Sequence, residues 1–512
     1  MPAEVIIGID GLTPDSLIEI ARNNASVKIS ADAAAAINKS REIVDSLAAS
    51  EVPVYGISTG FGALARKFID ADKRVQLQKS LIRSHAAGSG EIVEVEVIRA
   101  MMAVRLATMC RGLSGVQLQT AETYASMLNA NITPVVREFG SLGCSGDLAP
   151  LSACALAAMG EGEVIFKGQI TKTEIAFQSV GITPVELSSK EGLALINGTD
   201  GMLGQLVLAI FDITNLLKTL DITTSLSVEA LLGTDRVFQK HLHDLRPQIG
   251  QGNSAANIAK LLSDSPLVKS HAGKDDGRVQ DAYSLRCAPQ VAGAARDTVA
   301  HAARVAELEL KSIIDNPIVL TSGEISSNGN FHGAPVAHVL DFLAISIADA
   351  ASMSERRSDR ALDEHRSFGL PPFLAYDAGV DSGMMIAQYT QAGLVSEMKR
   401  LAVPASVDSI PTSAMQEDHV SMGWHAARKL RKSIDAFARV IAIELMIAAR
   451  AVEMRAPITA GTGTTAAIKT LRSKVAGPAA DRWLTPEIED SVALVKSNEI
   501  LNSVEKAVGT LL

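Results

Sequence analysis

The sequence predicts a mainly α-helical protein, and three observations carry that expectation. Ala and Leu are plentiful while aromatic residues make up only 4% of the chain, a balance that suits packed helices better than sheets. Beyond residue 200, apolar residues recur at helical spacing near 201–232, 291–312, 333–364, 383–402 and 424–454. Several of these runs exceed the usual length of a globular helix, as mutually packed rods in a bundle do. Before residue 200 the pattern is mixed. The expected organisation is an N-terminal domain over 1–200 and a long-helix bundle with C-terminal helices over 201–512.

The elements follow in order. Residues 5–9 are a short apolar run ending in Asp10-Gly11, a strand and a turn. Thr13-Pro14 then opens a helix to about Arg22, with Thr13 as N-cap and Pro14 at the first helical position. Residues 32–47 carry helical spacing again, and 55–62 form a glycine-rich loop with the wrong spacing for a phosphate-binding loop. Helices dominate 93–130, with a break near Gly112–Gly115. Residues 164–168 resemble a small hairpin turning at Lys167-Gly168.

Composition bounds the function. With 512 residues, the chain is long enough for a large core and two or three domains. A net charge of −9 without any basic run argues against nucleic acid or an anionic membrane as partner. Four scattered cysteines without Cys-x-x-Cys spacing read as reduced thiols in a cytoplasmic protein. The N-terminus lacks the features of a signal peptide. The most apolar stretches, such as 201–217, are interrupted by Asp212 and too short to span a bilayer.

The chemistry concentrates in Gly143-Cys144-Ser145-Gly146-Asp147. If the Gly146 nitrogen attacks the Cys144 carbonyl, a five-membered imidazolinone closes. Loss of water from Ser145 then leaves an exocyclic methylidene, an electrophile made from the protein itself. Gly146 suits this because it reaches backbone angles other residues avoid.

The run 140–151 resembles the prosthetic-group segment of the aromatic amino acid ammonia-lyases, which build a methylidene-imidazolone (MIO) from Ala-Ser-Gly. Cys144 departs from the usual first residue; it still supplies the carbonyl and a ring substituent, so cyclisation to a Cys144–Gly146 cross-link is expected. The resemblance runs from about 54 to 457 through several motifs in the same order. It implies a helical architecture like that of the fumarase and aspartase enzymes, no dissociable cofactor, no metal, and a homotetramer with active sites shared between subunits.

An ammonia-lyase must make an amine a leaving group and remove a weakly acidic β-proton, so an electrophile and an opposed base are required. The motif Tyr55-Gly56-Ile57-Ser58-Thr59-Gly60-Phe61-Gly62 resembles the family's base loop and makes Tyr55 the base. The run Gln280-Asp281-Ala282-Tyr283-Ser284-Leu285-Arg286 resembles a second signature. It implies that Gln280 contacts substrate, Tyr283 hydrogen-bonds beside the prosthetic group and Arg286 clamps the substrate carboxylate. Asn197 in Ile196-Asn197-Gly198 resembles the asparagine at the imidazolone oxygen, where an N–H stabilises developing charge. Phe331 in Asn330-Phe331-His332-Gly333 resembles the aromatic wall, although Gly333-Ala334-Pro335 stands where many relatives have Ala-Glu-Pro.

The substrate side turns on Ser84-His85 and Glu417. Among relatives a Ser-His pair resembles the histidine-specific enzymes. A polar His85 and Glu417 can bond an imidazole but would be left unpaired beside a benzene ring. The implied reaction is deamination of L-histidine to urocanate and ammonia. A tyrosine or phenylalanine lyase, or a 2,3-aminomutase with the same MIO, stays open as the alternative. Ala153 stands where many histidine enzymes have histidine. His241-Leu242-His243 points its imidazoles to different helical faces, which argues against zinc. Glu355-Arg356-Arg357 and Arg428-Lys429 read as solvated faces or subunit contacts, and 487–490 as a helix start.

Overall fold

The computed structural model describes residues 3–49, 54, 56–57, 59, 69–273 and 279–512. Among them helices dominate and no strand exceeds four residues, in line with the mainly α expectation. The long helices fall within a few residues of the predicted runs, at Asp200–Ala230, Ala288–Leu310, Ala334–Leu362, Met385–Leu401 and Gly423–Glu453. Two of them have 31 residues, about 46 Å of rod each.

The chain forms two compact units. The first takes in Met1–Leu208 together with Ala302–Asp341 and Pro404–Arg428, two later segments that no single cut near residue 200 anticipates. The second comprises Ala209–His301, Phe342–Val403 and Lys429–Leu512.

In the first unit the parallel strands Glu4–Ile7 and Ser26–Ile29 flank the helix Pro14–Arg22. Thr13 caps that helix: its hydroxyl accepts from the Ser16 N–H at 3.2 Å while the Thr13 N–H donates to the Ser16 hydroxyl at 2.9 Å. The hairpin Glu163–Phe166 and Gln169–Lys172 turns at Lys167 (φ +49°) and Gly168 (φ +76°), where both residues must be left-handed. Helix Val95–Cys110 is buried around its whole circumference from Val97 onward, so Arg99 and Arg105 lie inside the unit. Arg428 is also drawn in, donating to Glu94 at 2.6 Å and to Gln205 at 3.3 Å, where the sequence suggested a solvated face.

The second unit corrects a second such expectation. Arg357 is only 1% exposed and donates to the buried Glu444 carboxylate at 2.5 and 2.9 Å. Thr223, Ser227 and Ser354 complete the acid's partners at 2.6–2.9 Å. The residue reads as surface because its partner lies 87 residues further on. His243 Nε2 donates to Val237 O at 3.0 Å, and its Nδ1 accepts from Gln251 Nε2 at 2.9 Å. Among the described residues one helix, Ala334–Leu362, is long and apolar enough to cross a membrane by length and composition; 61% of its most apolar window is buried within the protein, as in the core helix of a globular fold.

Candidate active site

Glycines bend the chain between strand Arg137–Phe139 and helix Leu148–Ala158. Gly143 (φ +67°) and Gly146 (φ +81°) are left-handed. A Cβ on Gly146 would fall on the backbone of Gly198, and one on Gly143 would meet the Ser421 hydroxyl. Only glycine fits either position.

Asp147 anchors the bend. Its N–H donates to Gly198 O at 2.7 Å. Its carboxylate accepts from the Ser141 hydroxyl at 2.9 Å and from the Gly201 and Met202 N–H groups at 2.9 and 2.8 Å. Those N–H groups belong to the first turn of helix Asp200–Ala230, which has no intrahelical partners for them and favours an anion. Burial pushes the Asp147 carboxyl up to about 7, against the pull of these donors. On its other side the bend is held by Met422 N–H to Leu142 O at 2.9 Å and by the Ser421 hydroxyl to Gly143 O at 3.1 Å.

The Ser145 hydroxyl donates to Glu417 Oε1 at 3.4 Å. Glu417 is fixed by a two-way backbone bridge to Thr412, at 2.9 and 3.3 Å, and by the Thr412 hydroxyl on Oε2 at 2.9 Å. The sequence's proposed reader and its proposed electrophile precursor, 272 residues apart, thus meet. Burial, and then the Glu417 carboxylate, push the Cys144 thiol up to about 12. It therefore stays protonated at neutral pH and is a poor nucleophile.

Asn197 ends helix Glu191–Ile196. Its Nδ2 donates to Asn316 O at 2.9 Å, while its buried Oδ1 has no partner among the described residues. Behind it, Arg105 is fully buried, pairs with Asp200 and donates to Ala194 O at 3.0 Å and Asn197 O at 3.5 Å. Burial raises the Asp200 carboxyl, opposed by Arg105. A second buried pair, Lys190–Asp315 at 2.7 Å, holds the segment whose Asn316 N–H bonds to Asp315 Oδ1 at 2.7 Å. Sequence reasoning missed Arg105 and gave Asp147 no role. The available signal for Arg105 was a charge in the middle of a mostly apolar helix, which must be paired when buried.

His85 closes helix Arg74–His85 and is half-buried; Ser84 is exposed. His85 Nδ1 lies 2.9 Å from Leu81 O. A carbonyl only accepts, so Nδ1 carries the hydrogen and Nε2 is left as an acceptor. Phe331 is half-buried on the turn before helix Ala334–Leu362. At Gly333 an added Cβ would meet the Met202 thioether, so the departure from the relatives' alanine is matched by its neighbour.

Gln280, Tyr283 and Arg286 belong to the second unit. Gln280 is exposed. Tyr283 is 71% exposed, with the Arg286 guanidinium 4.6 Å from its ring centre and Arg286 Nε donating to Asp281 O at 3.0 Å. Tyr55 lies outside the described residues. Its described neighbour Ile57 is fully buried with Val44 and Val319.

The comparisons agree with this geometry. The family model for aromatic amino acid lyase matches residues 12–473. Histidine ammonia-lyase from Streptomyces avermitilis is 58% identical over 99% of both chains, and that from Streptomyces coelicolor 56% over the same shares. Among solved structures, tyrosine aminomutase from Streptomyces globisporus superposes with a TM-score of 0.94 at 36% identity, covering 100% of both chains. Histidine ammonia-lyase from Trypanosoma cruzi reaches 0.91 at 35%, covering 99% of this chain and 96% of its own. A glycine-bent Ser145 under an anchored aspartate, met with a match along almost the whole length, makes this chain a member of the aromatic amino acid lyase family.

Proposed function

We propose that this chain is a histidine ammonia-lyase, converting L-histidine to trans-urocanate and ammonia as the first step of histidine degradation. The observation that carries the reading is full-length identity of 56–58% to relatives of that name. The two solved relatives do not separate histidine from tyrosine chemistry, since their identities are 35% and 36%. The contact of Glu417 with Ser145 favours a polar substrate ring.

The Cys144-Ser145-Gly146 bend fits a methylidene-imidazolone, because Gly146 is left-handed with no room for a side chain and the following residue, Asp147, is held by the Gly201 N–H on its carboxylate. Once formed, that group supplies the electrophile that makes the substrate amine a leaving group. Tyr55 takes the β-proton as general base. Arg286 holds the substrate carboxylate bidentately, with Gln280 beside it and Tyr283 hydrogen-bonding nearby. Asn197 turns its second amide hydrogen toward developing negative charge. His85 Nε2 and the Glu417 carboxylate bond the imidazole of the substrate, next to Ser84, and Phe331 walls the ring. The functional assembly is a cytoplasmic homotetramer in which Tyr283 and Arg286 complete sites together with other copies.

The deciding experiment is an ultraviolet assay of the purified protein on L-histidine, L-tyrosine and L-phenylalanine separately, with intact mass to test for loss of two waters. Urocanate from histidine alone supports the reading. Coumarate, cinnamate or a β-amino acid instead overturns the substrate and leaves the electrophile standing.

A further inference from the structure

Two histidines without a role in the reaction flank two of its proposed substrate contacts. His332 follows Phe331, and His419 lies two residues after Glu417. Their rings stack with centres 5.2 Å apart and planes 27° from parallel, and His332 Nε2 lies 3.1 Å from His419 Nδ1. The direction of that bond follows from a third contact. The Ala334 N–H donates to His332 Nδ1 at 3.4 Å, so Nδ1 bears the lone pair and Nε2 the hydrogen. His332 therefore donates to His419 Nδ1, and both rings are neutral.

This arrangement has no place for a proton. One on His332 Nδ1 would face the Ala334 N–H, at the positive end of helix Ala334–Leu362. One on His419 Nδ1 would face the His332 N–H. Burial holds His332 below the ordinary histidine range, helped by His419 and His338 and opposed by the His419 backbone. The charged groups on the facing segment are Glu417, already bonded to Thr412 and Ser145, and the exposed Asp418.

We propose that His332 and His419 are a positioning pair: their neutral imidazole–imidazole bond ties the 412–421 turn to the base of helix Ala334–Leu362, fixing Glu417 against Ser145 and Phe331 beside it, and acid releases both. The functional half of this inference rests on Glu417 as a substrate contact; the geometric half does not. A neutral His332 is required, so the arrangement holds above the ordinary histidine pKa of 6.5 and is lost as pH falls through the lower folded value of that ring.

The test compares His419→Phe, which keeps a ring but no acceptor, with His419→Asn, whose amide oxygen can replace Nδ1 and does not titrate. With histidine as substrate, kcat/KM should fall about tenfold or more in the Phe variant. It should return to within about threefold of wild type in the Asn variant, with the acid limb of the pH profile moved. Crystal structures of wild type at about pH 5 and about pH 8 supply a readout independent of substrate. Parted rings with a displaced Glu417 at the lower pH support the pair, even if the protein acts on another amino acid. An unmoved Glu417 in acid, or a Phe variant with wild-type rate and pH profile, overturns it. Should the Phe variant fail to fold, the two wild-type structures decide.

Discussion

Two buried acids, Glu444 and Asp147, are held in different ways. Glu444, in the second unit, sits among long helices and meets a full countercharge: Arg357 donates two hydrogen bonds to it and three hydroxyls fill the remaining positions. Asp147, in the first unit, is equally buried but is held by one hydroxyl and two helix N-terminal N–H groups, with Asp200 adding repulsion. A countercharge stabilises a frame that does nothing further. Dipoles and hydroxyls tighten a backbone bend without setting a cation beside the reactive residue. Among the described residues the buried Oδ1 atoms of Asn197 and Asp200, near Asp147, have no hydrogen-bond partner.

The comparison breaks most sharply at Ser145. Ser145→Ala removes the hydroxyl that must leave as water, so turnover should drop by about a thousandfold or more, with intact mass showing no dehydration. Thermal unfolding should stay near that of wild type, because the hydroxyl makes only one long hydrogen bond. Normal turnover in this variant would end the electrophile hypothesis. In the second unit the order is reversed. Arg357→Met leaves Glu444 buried without its cation, which should cost about 3–5 kcal/mol of stability. Denaturant unfolding checks this, and an unchanged midpoint would mean that the hydroxyls alone suffice.

A smaller effect sharpens the site itself. His85→Phe should lower kcat/KM for histidine about a hundredfold, since a half-buried reader is replaced by a group that cannot bond an imidazole. Circular dichroism and unfolding should hardly change, because among the described residues His85 hydrogen-bonds within its own helix. Kinetics equal to wild type would remove His85 from the substrate contacts.

These expectations were unequally legible beforehand. Thr13-Pro14, the Lys167-Gly168 turn and the long helices all follow from local chemistry and periodicity, which act over a few residues. Arg357 and Arg428 misled because a charge on a helix reads as surface until a partner far along the chain is known. The contact of Ser145 with Glu417 was reachable only through resemblance of two separate motifs, since no local rule links residues 272 apart. The Asp147 anchor was unread because its acceptors serve backbone N–H groups, which every residue carries. Arg105 left a trace, a charge in a mostly apolar helix, but its partners Asp200 and Asn197 could not be named from it.

The finest test of the contrast between the acids is the pH dependence of stability. Unfolded, the Asp147 carboxyl titrates at its ordinary 3.8; folded, at about 7. Between those values the folded chain keeps a proton that the unfolded chain has released. Stability from this group is therefore present in acid, falls by about 1.4 kcal/mol per pH unit on the way up, and is flat above about 7. Asparagine cannot titrate but keeps an acceptor oxygen for the Gly201 and Met202 N–H groups. Working in the Ser145→Ala background removes any difference in prosthetic-group formation, so Ser145→Ala is compared with Ser145→Ala/Asp147→Asn. Between about pH 7 and about pH 6 the aspartate protein should gain about 1 kcal/mol on the asparagine protein, and between about pH 8 and about pH 7 less than about half of that. A difference that stays constant across that range would mean that Asp147 folds as a carboxylate, with the helix N-terminus supplying as much stabilisation as Arg357 supplies to Glu444.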